Sequence, residues 1–163
     1  MHSLLDFAKP TPLKLKDTDI HNLIEETLVL LSNDFLQKKI TLIKKFNCSN
    51  PVLRLDAIQI KQAFLNIILN AIEAMPQGGT LSIKTQDKSP NQVEIIFKDT
   101  GTGISSKNLV HIFEPFYSTR EKGTGLGLSI VHSIIQAHKG KIEVESQVGK
   151  GTTFMAKLPI DKG

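Results

Sequence analysis

The run from Asp56 to Asp99 restricts the fold more than any other part of the chain. Asp56 and Gln59 form a capping pair, and an apolar helical period then continues to about Met75, where Pro76 and Gly78-Gly79 stop it. Two period-two stretches follow, "TLSIKTQ" (Thr80 to Gln86) and "QVEIIFKD" (Gln92 to Asp99), joined by a Ser-Pro-Asn turn that predicts a hairpin. The helix shows Ile58, Phe64, Leu65, Ile68, Ile72 and Met75 on one side, so it needs an apolar surface, and the hairpin supplies one.

The rest of the chain repeats these two periods. Asp19 caps a predicted helix from Ile20 to about Gln37, and "ITLIKKF" (Ile40 to Phe46) alternates as a strand. "PTPLKLK" reads as a linker entering a strand, and a short helix is expected near Lys107 to Ile112. A glycine-led helix to about His138, the strand "KIEVES", a Gly149-Lys150-Gly151 turn and the strand "TTFMAKLP" complete the pattern. The fold class predicted is α+β, a two-layer sandwich with helices on one face of a mixed sheet.

Composition narrows the function classes. The chain has 163 residues, 40% hydrophobic and 22% charged, enough for one domain with a sizeable core. Its net charge of +4 is spread along the sequence, without the basic arm or aromatic-basic motif of a nucleic-acid binder. Cys48 is the single cysteine, which excludes an internal disulfide and a cysteine-built zinc site. No apolar run approaches the length of a membrane span, so a soluble, cytoplasmic, monomeric fragment is expected, with no membrane contact of its own.

Four segments carry chemistry. On the long helix Gln59, Gln62, Asn66, Asn70 and Glu73 share one face. Asn is a mediocre helix former whose amide oxygen can ligate a hard cation, so two of them one turn apart point to a ligand as well as to a solvated face. Asp99 ends an apolar strand ahead of "TGTGI"; with Gly101 and Gly103 it is either an ordinary Asp-led turn or an acceptor for an exocyclic amine with room for a flat ring. In "EPFYSTREKGTGLGLSIV", Arg120 and Lys122 precede Gly123, Gly125, Leu126 and Gly127, which lead into a helix. That arrangement suits a polyphosphate or a tight helix entry, and the G-x-G-x-G spacing fits neither a dinucleotide fingerprint nor a P-loop. "GKGTTF" is a glycine turn ahead of a strand, and Thr152 can serve Asp99 only if their strands lie together.

In this order, "NIILNAIEAM", "DTGTGI", "IFEPFYSTREKGTGLGLSIV" and "GKGTTF" resemble the N, G1, F, G2 and G3 boxes of the catalytic, ATP-binding domain of sensor histidine kinases. That family shares a superfamily, and the Bergerat-type ATP-binding fold, with gyrase B, MutL and the large heat-shock chaperone ATPases. The likeness covers roughly Leu13 to Pro159, and the Asn-Ala-Ile-Glu-Ala variant is similar to the nitrogen-regulator subgroup. "LLDFAKP" resembles the end of the dimerisation helix, which implies a remnant over 1–10 and a catalytic domain over 11–163.

The resemblance implies roles for individual residues. Asn70 would hold Mg²⁺ against ATP; Asp99 would accept from the adenine amine, with Gly101, Gly103 and Thr152 around the base. Arg120, Lys122, Gly123, Gly125, Leu126 and Gly127 would bind phosphates, Asn66, Asn70 and Arg120 would serve catalysis, and Phe116 and Tyr117 would form a partner-facing lid. The γ-phosphoryl group would pass to a histidine on a dimerisation domain of the same protein and then to an aspartate of a response regulator receiver domain. The alternatives are an anti-sigma-type serine kinase of the same superfamily and a non-enzymatic ATP-dependent interaction module.

Two departures qualify this. ATP-hydrolysing relatives carry a Glu one turn before the metal-binding Asn, whereas this chain has Asn66, whose amide is no general base at neutral pH. None of His2, His21, His111, His132 and His138 lies in the expected phosphoacceptor motif, so most read as surface or satisfied histidines and the isolated domain is expected to show little activity.

Overall fold

The computed structural model describes residues 12–117 and 127–160. Their elements are β1 (Lys16–Asp19), α1 (Ile20–Leu30), α2 (Ser32–Lys38), β2 (Ile40–Phe46), β3 (Val52–Leu55), α3 (Ala57–Ala74), β4 (Gly79–Ser89), β5 (Gln92–Asp99), α4 (Ser106–Leu109), α5 (Gly127–Ala137), β6 (Lys141–Gln147) and β7 (Gly151–Pro159). A five-stranded sheet runs β2-β4-β5-β7-β6; β2 and β4 are parallel and the other neighbours antiparallel. The long helices cover one face, as the α+β reading requires.

Alternation along the strands decides which face they cover. Leu81, Ile83, Ile95, Phe97, Phe154, Ala156 and Leu158 point to the helices and are buried, as are Ile60, Ala63, Phe64, Ile67 and Ile68 of α3. The rings of Phe64 and Phe97 meet with centroids 5.6 Å apart and join the two layers. The other face carries ion pairs and amides, including Lys157 with Glu143 and Gln86 with Glu94. An apolar outer face would have required a third layer.

The predicted helix from Ile20 to Gln37 is two helices. The break falls at Leu31, with φ −105° and ψ 9°. Ser32 Oγ donates to the Val29 carbonyl at 3.0 Å, and Leu31 and Phe35 turn inward while Val29 and Leu30 are left exposed. Ile58, assigned to the apolar side of α3, is 82% exposed, because the buried stripe starts at Ile60. The short helix spans Ser106–Leu109 and is capped by Ser105 rather than reaching Ile112. The β1–β3 ladder is four residues long, and β3 went unrecognised because "VLRL" is too short to show a period.

That ladder has a use: β1 runs directly into Asp19, the N-cap of α1, and β3 into Asp56, the N-cap of α3. Cys48 is buried beside His21, and burial pushes its thiol pKa up against the opposing effect of a bond with Thr85. It is a packing residue.

Candidate functional site

Asp99 closes β5 on the helix-facing side and is 2% exposed. Its Oδ1 accepts the N–H groups of Gly101 at 2.8 Å and Thr152 at 3.1 Å. The second bond shows that the strands of Asp99 and Thr152 are neighbours, the condition under which Thr152 could serve the carboxylate. Two main-chain donors on one oxygen fix the carboxylate plane before any ligand arrives.

The loop after Asp99 is tied on both sides. Thr102 N–H donates to the Ala74 carbonyl at 3.0 Å, at the end of α3, and Gly149 N–H donates to the Thr102 carbonyl at 2.8 Å. Ile104 N–H donates to Ser146 Oγ at 2.7 Å. The glycine requirement here comes from the protein's own backbone. At Gly103, with φ +76°, a Cβ would lie 2.1 Å from the Gln147 carbonyl oxygen; at Gly151, with φ +119°, it would lie 2.0 Å from the Asp99 carbonyl oxygen. Gly101 sits against Ala74.

Asn66 and Asn70 are half-buried on α3. Asn66 Nδ2 donates to the Gly127 carbonyl at 3.3 Å, at the start of α5. Residues 66, 70 and 74 form one row along the helix, about 12 Å from end to end at 1.5 Å per residue. The row touches the glycine-led helix at Asn66 and the Asp99 loop at Ala74, so Asn70 lies between them. Val131, Ile134 and Ile135 anchor α5 to the core. A Cβ on Gly127 would meet no described atom within 4 Å.

At the far ends of α3 and α5 lies a second junction. His138 is buried; its Nε2 accepts the Asp56 N–H at 3.0 Å and its Nδ1 donates to the Ile134 carbonyl at 2.8 Å, a pairing that requires the neutral Nδ1–H tautomer. The Asp56 carboxylate caps α3 through Gln59 N–H and accepts Lys14 N–H at 3.1 Å. Burial acts to raise its pKa, but the N–H bonds from Lys14 and Gln59 outweigh it and hold the carboxyl below its ordinary range. The capping pair was readable in the sequence. Its link to His138, 82 residues away, was not.

Phe116 is 72% exposed and has φ +66°, uncommon for an aromatic residue. Tyr117 is half-buried, because its hydroxyl donates to Asn108 Oδ1 at 2.7 Å and its ring packs on His111. Phe116 thus presents its ring to solvent, while the Tyr117 side chain is engaged by Asn108 and His111. Arg120, Lys122, Gly123, Gly125 and Leu126 lie outside the described residues. The sequence reading missed Ser146, whose hydroxyl touches the Asp99 loop and Thr152; it sits in an exposed-looking strand with no motif around it.

Comparison with known proteins agrees with this geometry. Residues 55–162 match the family described as histidine kinase-, DNA gyrase B- and HSP90-like ATPase. The chain is 41% identical over 158 residues to the sensor histidine kinase ZraS of Escherichia coli, covering 97% of this chain and 34% of ZraS. It thus spans about a third of the length of that relative. Among solved structures, the nucleotide-free catalytic domain of histidine kinase ThkA superposes with a TM-score of 0.80 at 31% identity, covering 90% of this chain and 96% of that one. Full-length ShkA in complex with AMPPNP gives 0.87 at 26% identity, covering 98% of this chain and 34% of that one. ThkA in complex with the response regulator TrrA gives 0.82 at 28%, covering 97% and 45%. The chain belongs to the histidine kinase-, gyrase B- and HSP90-like ATPase family, as a histidine kinase catalytic domain.

Proposed function

We propose that this domain binds ATP with Mg²⁺ and delivers the γ-phosphoryl group to a histidine on a dimerisation domain of the same protein, for relay to a response regulator aspartate. The observation that carries the reading is the 66–70–74 row of α3, which bridges the fixed Asp99 carboxylate and the start of the glycine-led helix. A nucleoside seated at Asp99 would direct its phosphates along this row. The relatives point the same way: ShkA is described with an ATP analogue and ThkA with a response regulator.

The donor set fits the metal. One amide oxygen from Asn70, with phosphate oxygens and water completing the shell, is the oxygen-only environment Mg²⁺ prefers. Bound there, the ion would neutralise charge developing on the transferred group. Arg120 and Lys122 would add positive charge at the phosphates. Asn66 has its amide N–H committed to Gly127, and an amide cannot accept a proton from water at neutral pH, so futile hydrolysis is suppressed. Positioning and charge supply the catalysis. An N-terminal remnant over 1–10 and a catalytic domain over 11–163 is the division we propose, with Phe116 turned to the partner.

Calorimetric titration of Mg-ATP tests this. Wild type should bind; Asp99→Asn should weaken binding by about 100-fold or more, because an NH₂ group replaces an acceptor facing an amine. Asn70→Asp should change the Mg²⁺ dependence. A wild-type domain that binds no adenine nucleotide would overturn the reading.

A further inference from the structure

We propose that Ser146 sets the base specificity of this site by fixing the direction of the Thr152 hydroxyl proton. The inference deepens the function proposed above and rests on its reading of Asp99 and Thr152 as contacts to a purine. Ser146 Oγ makes three contacts: Ile104 N–H at 2.7 Å, the Gly151 carbonyl at 3.0 Å and Thr152 Oγ1 at 2.7 Å. A hydroxyl owns one proton and two lone pairs. The amide can only donate and the carbonyl can only accept. The Ser146 proton therefore goes to Gly151, and the bond between the two hydroxyls must be donated by Thr152. The chain of donors is Thr152 to Ser146 to the Gly151 carbonyl.

The consequence lies beside Asp99. Thr152 is 3% exposed, stands next to Asp99 across the β5–β7 pair, and gives its own N–H to the Asp99 carboxylate. With its hydroxyl proton spent on Ser146, Thr152 offers lone pairs only. The Asp99 side chain, whose Oδ1 already accepts two main-chain N–H groups, likewise presents acceptor oxygens. Set against position 6 of the ring, the two acceptors together take both N–H groups of a 6-aminopurine and oppose the carbonyl of a 6-oxopurine. A Thr152 hydroxyl free to rotate would lose half of that discrimination, because it could donate to a carbonyl.

The test compares ATP with ITP, which replaces the 6-amino group by a carbonyl, by calorimetry with Mg²⁺ present. Wild type should prefer ATP by more than about 30-fold, since a site built for a donor rejects the analogue lacking it. Ser146→Ala should narrow that preference by about five- to tenfold, the equivalent of one hydrogen bond. Ser146→Thr, which keeps the hydroxyl, should hold it within about twofold of wild type. Thr152→Val removes the lone pairs but leaves Ser146 its other two partners; it should narrow the preference as Ser146→Ala does, and it decides the matter if Ser146→Ala fails to fold. An unchanged preference in Ser146→Ala or Thr152→Val overturns the inference, as does a preference lost equally in Ser146→Thr. Wild type that binds ATP with those results sinks this inference alone, whereas wild type that binds neither nucleotide sinks the site reading and the inference with it.

Discussion

The two ends of the α3 row are built differently. At the Asp99 end the carboxylate, the loop after it and the β6–β7 turn share a net of short bonds, from Gly101 and Thr152 to Asp99, Thr102 to Ala74, Gly149 to Thr102 and Ile104 to Ser146. Backbones approach so closely that only glycine fits at 103 and 151. At the Gly127 end the described residues show an amide bond of 3.3 Å from α3 to α5, and a Cβ on the glycine would meet no described atom within 4 Å. The difference matches the ligand proposed: a flat base profits from a fixed edge, whereas phosphates that would have to meet a histidine on another domain call for an end that can adjust.

Breaking the rigid end should have the largest effect. Gly151→Ala places a Cβ where the Asp99 carbonyl oxygen stands, at a φ that side chains avoid, and should cost at least ~3 kcal/mol and abolish nucleotide binding, read by chemical denaturation and calorimetry. A loss below about 1 kcal/mol would show that this end gives way as readily as the other.

The second effect concerns the junction that holds α3 and α5 at their far ends. Asp56→Ala removes the cap of α3 and a partner of Lys14, and should cost about 1–2 kcal/mol. The sign of its pH dependence follows from the lowered pKa. The stabilisation by the ionised carboxylate is complete above the ordinary Asp range and is lost as pH falls through the folded-state value. Wild type and variant should therefore converge in stability in acid. A gap that stays constant down to acid pH would assign the effect to packing instead.

How far the sequence could be read follows the same division. Elements with a long period were legible: α3 with its cap, the β4–β5 hairpin and β7 lie where the pattern places them. What escaped depended on contacts between distant residues. Nothing local in "VLRL" announces a strand, and Leu31 breaks a helix because Phe35 is drawn to the core, not because of a Gly or Pro. Asp99 and Thr152 were linked in the sequence only on the condition that their strands lie together, and the fold meets it. Ser146 escaped, and His138 was read only as one of the surface or satisfied histidines, since the Ile104 and Asp56 that they bind are remote in sequence.

A smaller effect is expected at the adjustable end. Asn66→Ala removes the bond to the Gly127 carbonyl and should cost about 0.5–1 kcal/mol of stability. It should weaken ATP several-fold while leaving adenosine unchanged, because the bond positions α5 and not the base. Equal losses for both ligands would show that the two ends are one cooperative unit.

The smallest change in stability, and the sharpest contrast, comes from Gly127→Ala. Gly103 and Gly151 are required by neighbouring backbone, whereas a Cβ on Gly127 meets no described atom within 4 Å and its φ is not left-handed. The described residues therefore give no steric reason for glycine there, and alanine in a helix is favoured by about 0.5–1 kcal/mol. Stability should rise slightly. If the glycine serves a close approach of phosphate to the main chain, ATP affinity should fall in the same variant while adenosine affinity holds. A variant that is more stable and binds ATP as well as wild type would leave Gly127 a helix start with no part in the site, and the phosphates would have to be held by the segment before it and by Asn70 alone.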